Sequence, residues 1–111
     1  MFSIKLISNE PALEKARAEN KLGLVDVSAI WCSTCRKLDN EIFADEEVKR
    51  FINDNYVLSR LEYESDAGQK FLEKQKVRGF PTLLLVDSDG NMVKKLQVIF
   101  DKHQFLWQLN Q

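Results

Sequence analysis

The sequence predicts an α/β fold, a central mixed β-sheet with helices on both faces, and three observations carry that prediction. Strand-like and helix-like patterns alternate along the chain in the order βαβαβαββα. The run Leu24-Val25-Asp26-Val27-Ser28-Ala29-Ile30 is nearly all small or apolar, as a strand covered on both faces must be. The only two cysteines fall in Trp31-Cys32-Ser33-Thr34-Cys35, at the carboxyl end of that strand, where open α/β sheets place their reaction sites.

Each element has its own signal. Phe2 to Ile7 alternates apolar and polar residues and predicts a short strand. Ser8 or Asn9 caps a helix with Pro11 in its first turn and Leu13 and Ala16 on one face, ending near Asn20. Gly23 introduces the apolar strand from Leu24 to Ile30. From Cys35 the pattern turns helical, with Leu38 and Ile42 four apart. After Phe43 a second helical stretch sets Val48, Phe51 and Ile52 on one side, with Asp45 as its cap. Tyr56 to Tyr63 predicts a strand, Asp66 to Lys76 a helix and Thr82 to Val86 a buried strand. Asp87-Ser88-Asp89-Gly90-Asn91 is a hairpin turn, across which Met92 to Ile99 pairs back. Asp101 to Leu109 closes the chain as a helix with Phe105 and Leu109 toward the core.

Composition removes several functions. The 111 residues fit one domain with a core that needs no disulfide staples, and a formal net charge of −1 offers no basic surface for nucleic acid. No apolar run approaches the roughly 20 residues that span a bilayer, so no membrane insertion is expected. The N-terminus lacks a basic region followed by an apolar core, which predicts a cytoplasmic protein as the sequence stands, or a periplasmic one if Met1 marks the start of an excised domain. Two thiols and a distant His103 fall short of a four-ligand zinc site, and neither metal nor cofactor is expected. His103 itself reads as a solvated surface residue, and the charge-rich stretch from Asp39 to Arg50 as a wet helical face.

A chain that concentrates its sulfur chemistry into one Cys-X-X-Cys is most simply built to pass a disulfide back and forth. Two intervening residues let both sulfurs meet when the second lies in the first helical turn. At a helix start, unsatisfied N–H groups and the positive end of the dipole favour thiolate over thiol, and the thiolate is the form that attacks disulfides. Cys32 is therefore the expected nucleophile and Cys35 the buried resolving thiol. Asp26 interrupts the apolar strand, sharing a face with Leu24, Ser28 and Ile30 by period-two alternation. Desolvation there is expected to raise its pKa.

Leu24-Val25-Asp26, Trp31-Cys32-Ser33-Thr34-Cys35-Arg36-Lys37, Val77-Arg78-Gly79-Phe80-Pro81-Thr82 and the Asp89-Gly90 hairpin occur together over nearly the whole chain. In that order and at those spacings the sequence resembles the thioredoxin superfamily. The stretch Asn40 to Val48 resembles more closely the domains of that superfamily related to the C-terminal domain of DsbD. The resemblance implies a thioredoxin fold and a protein thiol–disulfide oxidoreductase working in the reducing direction. It makes Asp26 the proton acceptor for Cys35, places a basic residue, here Arg60, beside that carboxylate, and implies a cis peptide bond before Pro81. Trp31 and Phe80 would flank the sulfurs as an apolar rim for substrate segments. Ser33-Thr34 and Ser28 depart from the commonest pattern of the superfamily, which carries Gly-Pro and an aromatic residue there. The expected partners are protein disulfides and an upstream dithiol electron donor, met by a monomer. The alternative is a binding or assembly module of the same fold whose dithiol is regulatory or idle.

Overall fold

The computed structural model describes residues 9–110, with side chains from Glu14 onward. The predicted first strand, Phe2 to Ile7, lies outside the described residues. From there the elements follow the expected order: α1 (Asn9–Glu19), β1 (Leu22–Ser28), α2 (Ser33–Leu38), a π-helical segment (Asp39–Phe43), α3 (Glu46–Asn55), β2 (Tyr56–Glu62), α4 (Asp66–Gln75), β3 (Thr82–Val86), β4 (Met92–Leu96) and α5 (Lys102–Leu109). The four described strands form one sheet in the order β2-β1-β3-β4. β1 runs parallel to β2 and antiparallel to β3, and β4 is antiparallel to β3, so the sheet is mixed.

Alternation along the strands divides the core in two. Leu24, Leu58, Leu83, Leu85 and Leu96 face Leu38, Ile42, Val48, Ile52 and Phe105 of the helices on one side. Val25, Val27, Leu61, Leu84 and Val86 face Phe71 and Leu72 of α4 on the other, where Ala16 of α1 also packs on Val57. Asp26 lies between Val25 and Val27 and so points with Leu24 toward the layer that carries the cysteines.

The helix starts follow their caps. Asp45 accepts the N–H groups of Glu47 and Val48 at 2.9 and 3.1 Å, Ser65 that of Gly68 at 2.9 Å and Asp101 that of Gln104 at 3.0 Å. Gly68 has a second reason to be glycine, because a Cβ there would sit 2.2 Å from the carbonyl oxygen of Glu62. Alanine normally stabilises a helix relative to glycine. Here the clash with backbone wins, and Gly68→Ala is expected to destabilise the protein by about 2 kcal/mol in denaturant titration, since α4 must move away from the end of β2. A stability gain would show that the contact relaxes freely.

Four expectations are corrected. The strand expected to reach Ile30 ends at Ser28, because the Cys32 N–H bonds back to the Ala29 carbonyl at 3.0 Å and turns the chain. Ile30 is consequently 82% exposed rather than on the face of Asp26. The helix after Cys35 widens at Asp39–Phe43, where the Ala44 N–H reaches the Asp39 carbonyl five residues back at 2.8 Å. β4 stops at Leu96 instead of Ile99, since the Gln108 side chain takes both the N–H and the C=O of Gln97, at 3.0 and 2.9 Å. Finally, the stretch from Asp39 to Arg50 is not uniformly wet: Lys49 is buried and ion-paired to Glu46 at 3.0 Å, and Asp39 is half-buried.

Candidate active site

The turn at Ala29 delivers Cys32 to the N-cap of α2, in an extended backbone conformation. Its Sγ accepts the backbone N–H of Cys35 at 3.1 Å, so the sulfur itself supplies the cap that an oxygen usually gives. Both cysteines are thiols in this structure and both are largely covered, at 6% and 4% exposure. They pack with Ala29, against which Tyr63 and Phe80 lie. Burial pushes the Cys35 thiol well above its ordinary value, followed by the hydrogen bond to Cys32, and the charge of Asp26 adds a smaller push in the same direction.

Asp26 is where the alternation of β1 places it, at 2% exposure. Desolvation raises its pKa from 3.8 to about 6 against the pull of Arg60, and the negative charge of Asp39 works in the same direction as desolvation. Arg60 is its register partner on β2. The guanidinium donates to Asp26 Oδ2 through Nε at 3.2 Å and Nη2 at 2.8 Å, and Nη2 also donates to Asp39 Oδ1. Asp26 Oδ1 is buried with no hydrogen-bond partner. A cleft of about 380 Å³, lined by Ser28, Cys35, Asp39 and Arg60 among others, opens this inner side of the motif to solvent.

On the outer side the loop before β3 carries a cis Phe80–Pro81 bond. Gly79 precedes it at φ 89°, a value that favours glycine although a Cβ there would meet nothing within 4 Å. Thr82 donates its hydroxyl to the Gly79 carbonyl at 2.8 Å and closes the turn. Phe80 packs edge-on against Trp31 at 4.9 Å between ring centroids and against Tyr63 at 4.7 Å. Trp31 is 56% exposed and donates its indole N–H to Glu64 Oε1 at 3.0 Å.

The structure thus brings Cys32, Cys35, Trp31 and Phe80 together, with Asp26 and Arg60 behind Cys35 and Pro81 next to Phe80. His103 stays apart, exposed on α5. Two neighbours were not anticipated. Tyr63 read as the end of a strand, yet its N–H bonds to the Ser28 carbonyl at 2.8 Å and holds the ring beside the motif. Asp39, expected as part of a wet helical face, accepts a hydrogen bond from Arg60 Nη2 at the point where α2 passes into the π-helical segment. Among the described residues no three His, Cys, Asp or Glu side chains gather as metal ligands, and no helix is long and apolar enough to cross a membrane.

A family model described as a thioredoxin-like domain matches residues 10–111. The thiol:disulfide interchange protein DsbD of Yersinia pestis (strain Pestoides F) is 32% identical over 108 residues, and that of Photorhabdus laumondii 30% over 100 residues. These alignments cover 93% and 87% of this chain but only 18% and 17% of those proteins, so the chain spans under a fifth of the length of the curated relatives it matches. Among solved structures, a thioredoxin from Thermus thermophilus superposes with a TM-score of 0.86 at 21% identity, over 97% of this chain and 85% of that one. The oxidised C-terminal domain of DsbD from Neisseria meningitidis gives 0.76 at 18% identity, over 96% and 97%. At these identities the superpositions show the shared fold, the thioredoxin fold.

Proposed function

The chain belongs to the thioredoxin-like family, and on that premise we propose that it is a thiol–disulfide oxidoreductase that reduces disulfides of partner proteins through Cys32 and Cys35. The observation that carries this reading is the placement of two thiols at one helix start, joined by the Cys35 N–H to Cys32 Sγ bond, with a buried carboxylate behind them.

In the proposed cycle the Cys32 thiolate attacks one sulfur of a partner disulfide. That S–S bond breaks, a mixed disulfide with Cys32 forms, and the released partner thiolate takes up a proton. Cys35 then passes its proton to Asp26, and its thiolate attacks Cys32 Sγ. The second partner thiolate leaves and is protonated, and the Cys32–Cys35 disulfide remains. Two electrons have moved to the partner, and an upstream dithiol protein restores them. A Cys35 thiol held protonated by burial needs such a base, and Asp26, with its pKa near 6 and a free Oδ1, is the group at hand. Arg60 positions that carboxylate. Phe80 and Trp31 supply the apolar surface over which an extended partner segment lies, the backbone before Pro81 pairing with it as a strand would.

The test is reduction of insulin disulfides by dithiothreitol, which the protein is expected to accelerate, together with its reduction potential against glutathione. A potential near about −270 mV agrees with the proposed direction, and one near about −120 mV reverses it. No acceleration at all would leave a binding module of the same fold.

A further inference from the structure

Beyond the aromatic rim, the surface continues into a groove of about 490 Å³ between α4 and the loop that precedes Phe80. Leu72 and Val77 give it apolar lining, and Tyr63 joins it to the site, because the same ring that lines the groove packs on Phe80 at 4.7 Å. The remaining wall is polar and unevenly charged. Lys76 and Arg78 line it against one carboxylate, Glu73. Among the described residues neither cation has a hydrogen-bond or ion-pair partner for its side chain.

Lys76 is also in the wrong place for a lysine on local grounds. It is the C-cap of α4 at φ 58° and ψ 40°, the left-handed conformation that glycine adopts without a Cβ penalty. Helix ends of this kind commonly carry glycine. A cation two residues before another, held in an unfavourable backbone conformation and left unpaired on a groove wall, is what a surface selecting a negative partner looks like.

We propose that this groove receives the continuation of the partner segment whose disulfide reaches Cys32, and that Lys76 and Arg78 select acidic side chains in that segment. The proposal rests on the oxidoreductase reading and adds to it the chemistry of the preferred client, an extended peptide with carboxylates beyond its reactive cysteine. Leu72 and Val77 take its apolar atoms, and the two cations take its charge. Because both are exposed, the preference is modest and screened by salt.

The experiment uses three peptide disulfides, each a homodimer of one cysteine-containing peptide whose flanking residues are glutamate, glutamine or lysine. Their reaction with the reduced protein is followed by the change in Trp31 fluorescence. The glutamate peptide is expected to react about fivefold faster than the glutamine peptide at low ionic strength, the lysine peptide slower than both, and the differences to shrink in about 0.5 M salt. In Lys76→Gly/Arg78→Gln the ratio of glutamate to glutamine rates should fall to about one, and in Lys76→Glu/Arg78→Glu the order should invert. Glycine is the residue the backbone at position 76 favours, so the first variant tests recognition without strain. Equal rates for all three peptides, or a preference that survives both variants, would overturn this proposal alone. Failure of every peptide to react would overturn the oxidoreductase reading itself and this proposal with it.

Discussion

Cys35→Ser is expected to accumulate mixed disulfides with client proteins in cells, as reductant-sensitive bands on a non-reducing gel, whereas Cys32→Ser accumulates few or none. With Cys35 absent, Cys32 still attacks a partner disulfide, but no second thiolate remains to displace it. Turnover of insulin should fall by at least about a thousandfold in either variant, because the two residues act as one unit. The structure makes these losses interpretable. A serine at position 32 still offers an oxygen to the Cys35 N–H and remains a good N-cap, so α2 keeps its start. Folding is thus preserved while the nucleophile is removed, and the near-ultraviolet circular dichroism of both variants should match the parent. Equal trapping by both variants would mean that the cysteines have no fixed order of attack. Trapping by neither would remove the exchange mechanism.

Asp26→Asn is expected to stabilise the protein and slow it. The folded-state pKa of about 6 lies above the ordinary 3.8, so the folded chain holds a proton that the unfolded chain has already released between those values. Stability therefore declines as pH rises from about 4 to about 6, and the cost is fully present above the folded pKa. A difference of about 2 units at about 1.4 kcal/mol each makes that cost about 3 kcal/mol at neutral pH. Asparagine carries no such charge. The variant should be more stable than the parent by about 2–3 kcal/mol at pH 7, less what Arg60 loses in pairing, with the difference vanishing near pH 4. Thermal unfolding across that range reads the effect directly. In the proposed cycle the same variant has no base for the Cys35 proton, and resolution of a preformed mixed disulfide should slow by about 10–100-fold and lose its dependence on pH near 6. An unchanged rate would reduce Asp26 to a structural role.

What the chain's order of residues disclosed, and what it did not, follows from the range of the interactions. Asp26 was legible because one charge in an apolar strand announces its own desolvation, whereas Arg60 came from the resemblance, and the parallel register of β1 and β2 is what pairs it with Asp26. The cap at Asp45 was legible because it acts over two or three residues. The end of β4 was not, since it depends on Gln108 reaching back 11 positions to Gln97. Nor was the contact of Asp39 with Arg60, 21 positions apart, which depends on tertiary packing that no local periodicity encodes. Tyr63 escaped for a similar reason: strand residues and rim residues have the same composition, and only the bond to Ser28 assigns it to the rim.

The sulfur of Cys32 has two employments that compete. As the acceptor for the Cys35 N–H it anchors the first turn of α2, and in the proposed cycle it is also the atom that changes bonding at each step. A disulfide sulfur carries no negative charge and accepts a hydrogen bond more weakly than a thiolate does. In the proposed cycle oxidation weakens that hydrogen bond and puts a covalent Cys32–Cys35 bond across the same turn, so the start of α2 is held by a different bond in each redox state. Electron content and local order in this turn are one linked equilibrium, so a substitution that stabilises the helix start more in one redox state than in the other also changes how readily the protein gives its electrons away.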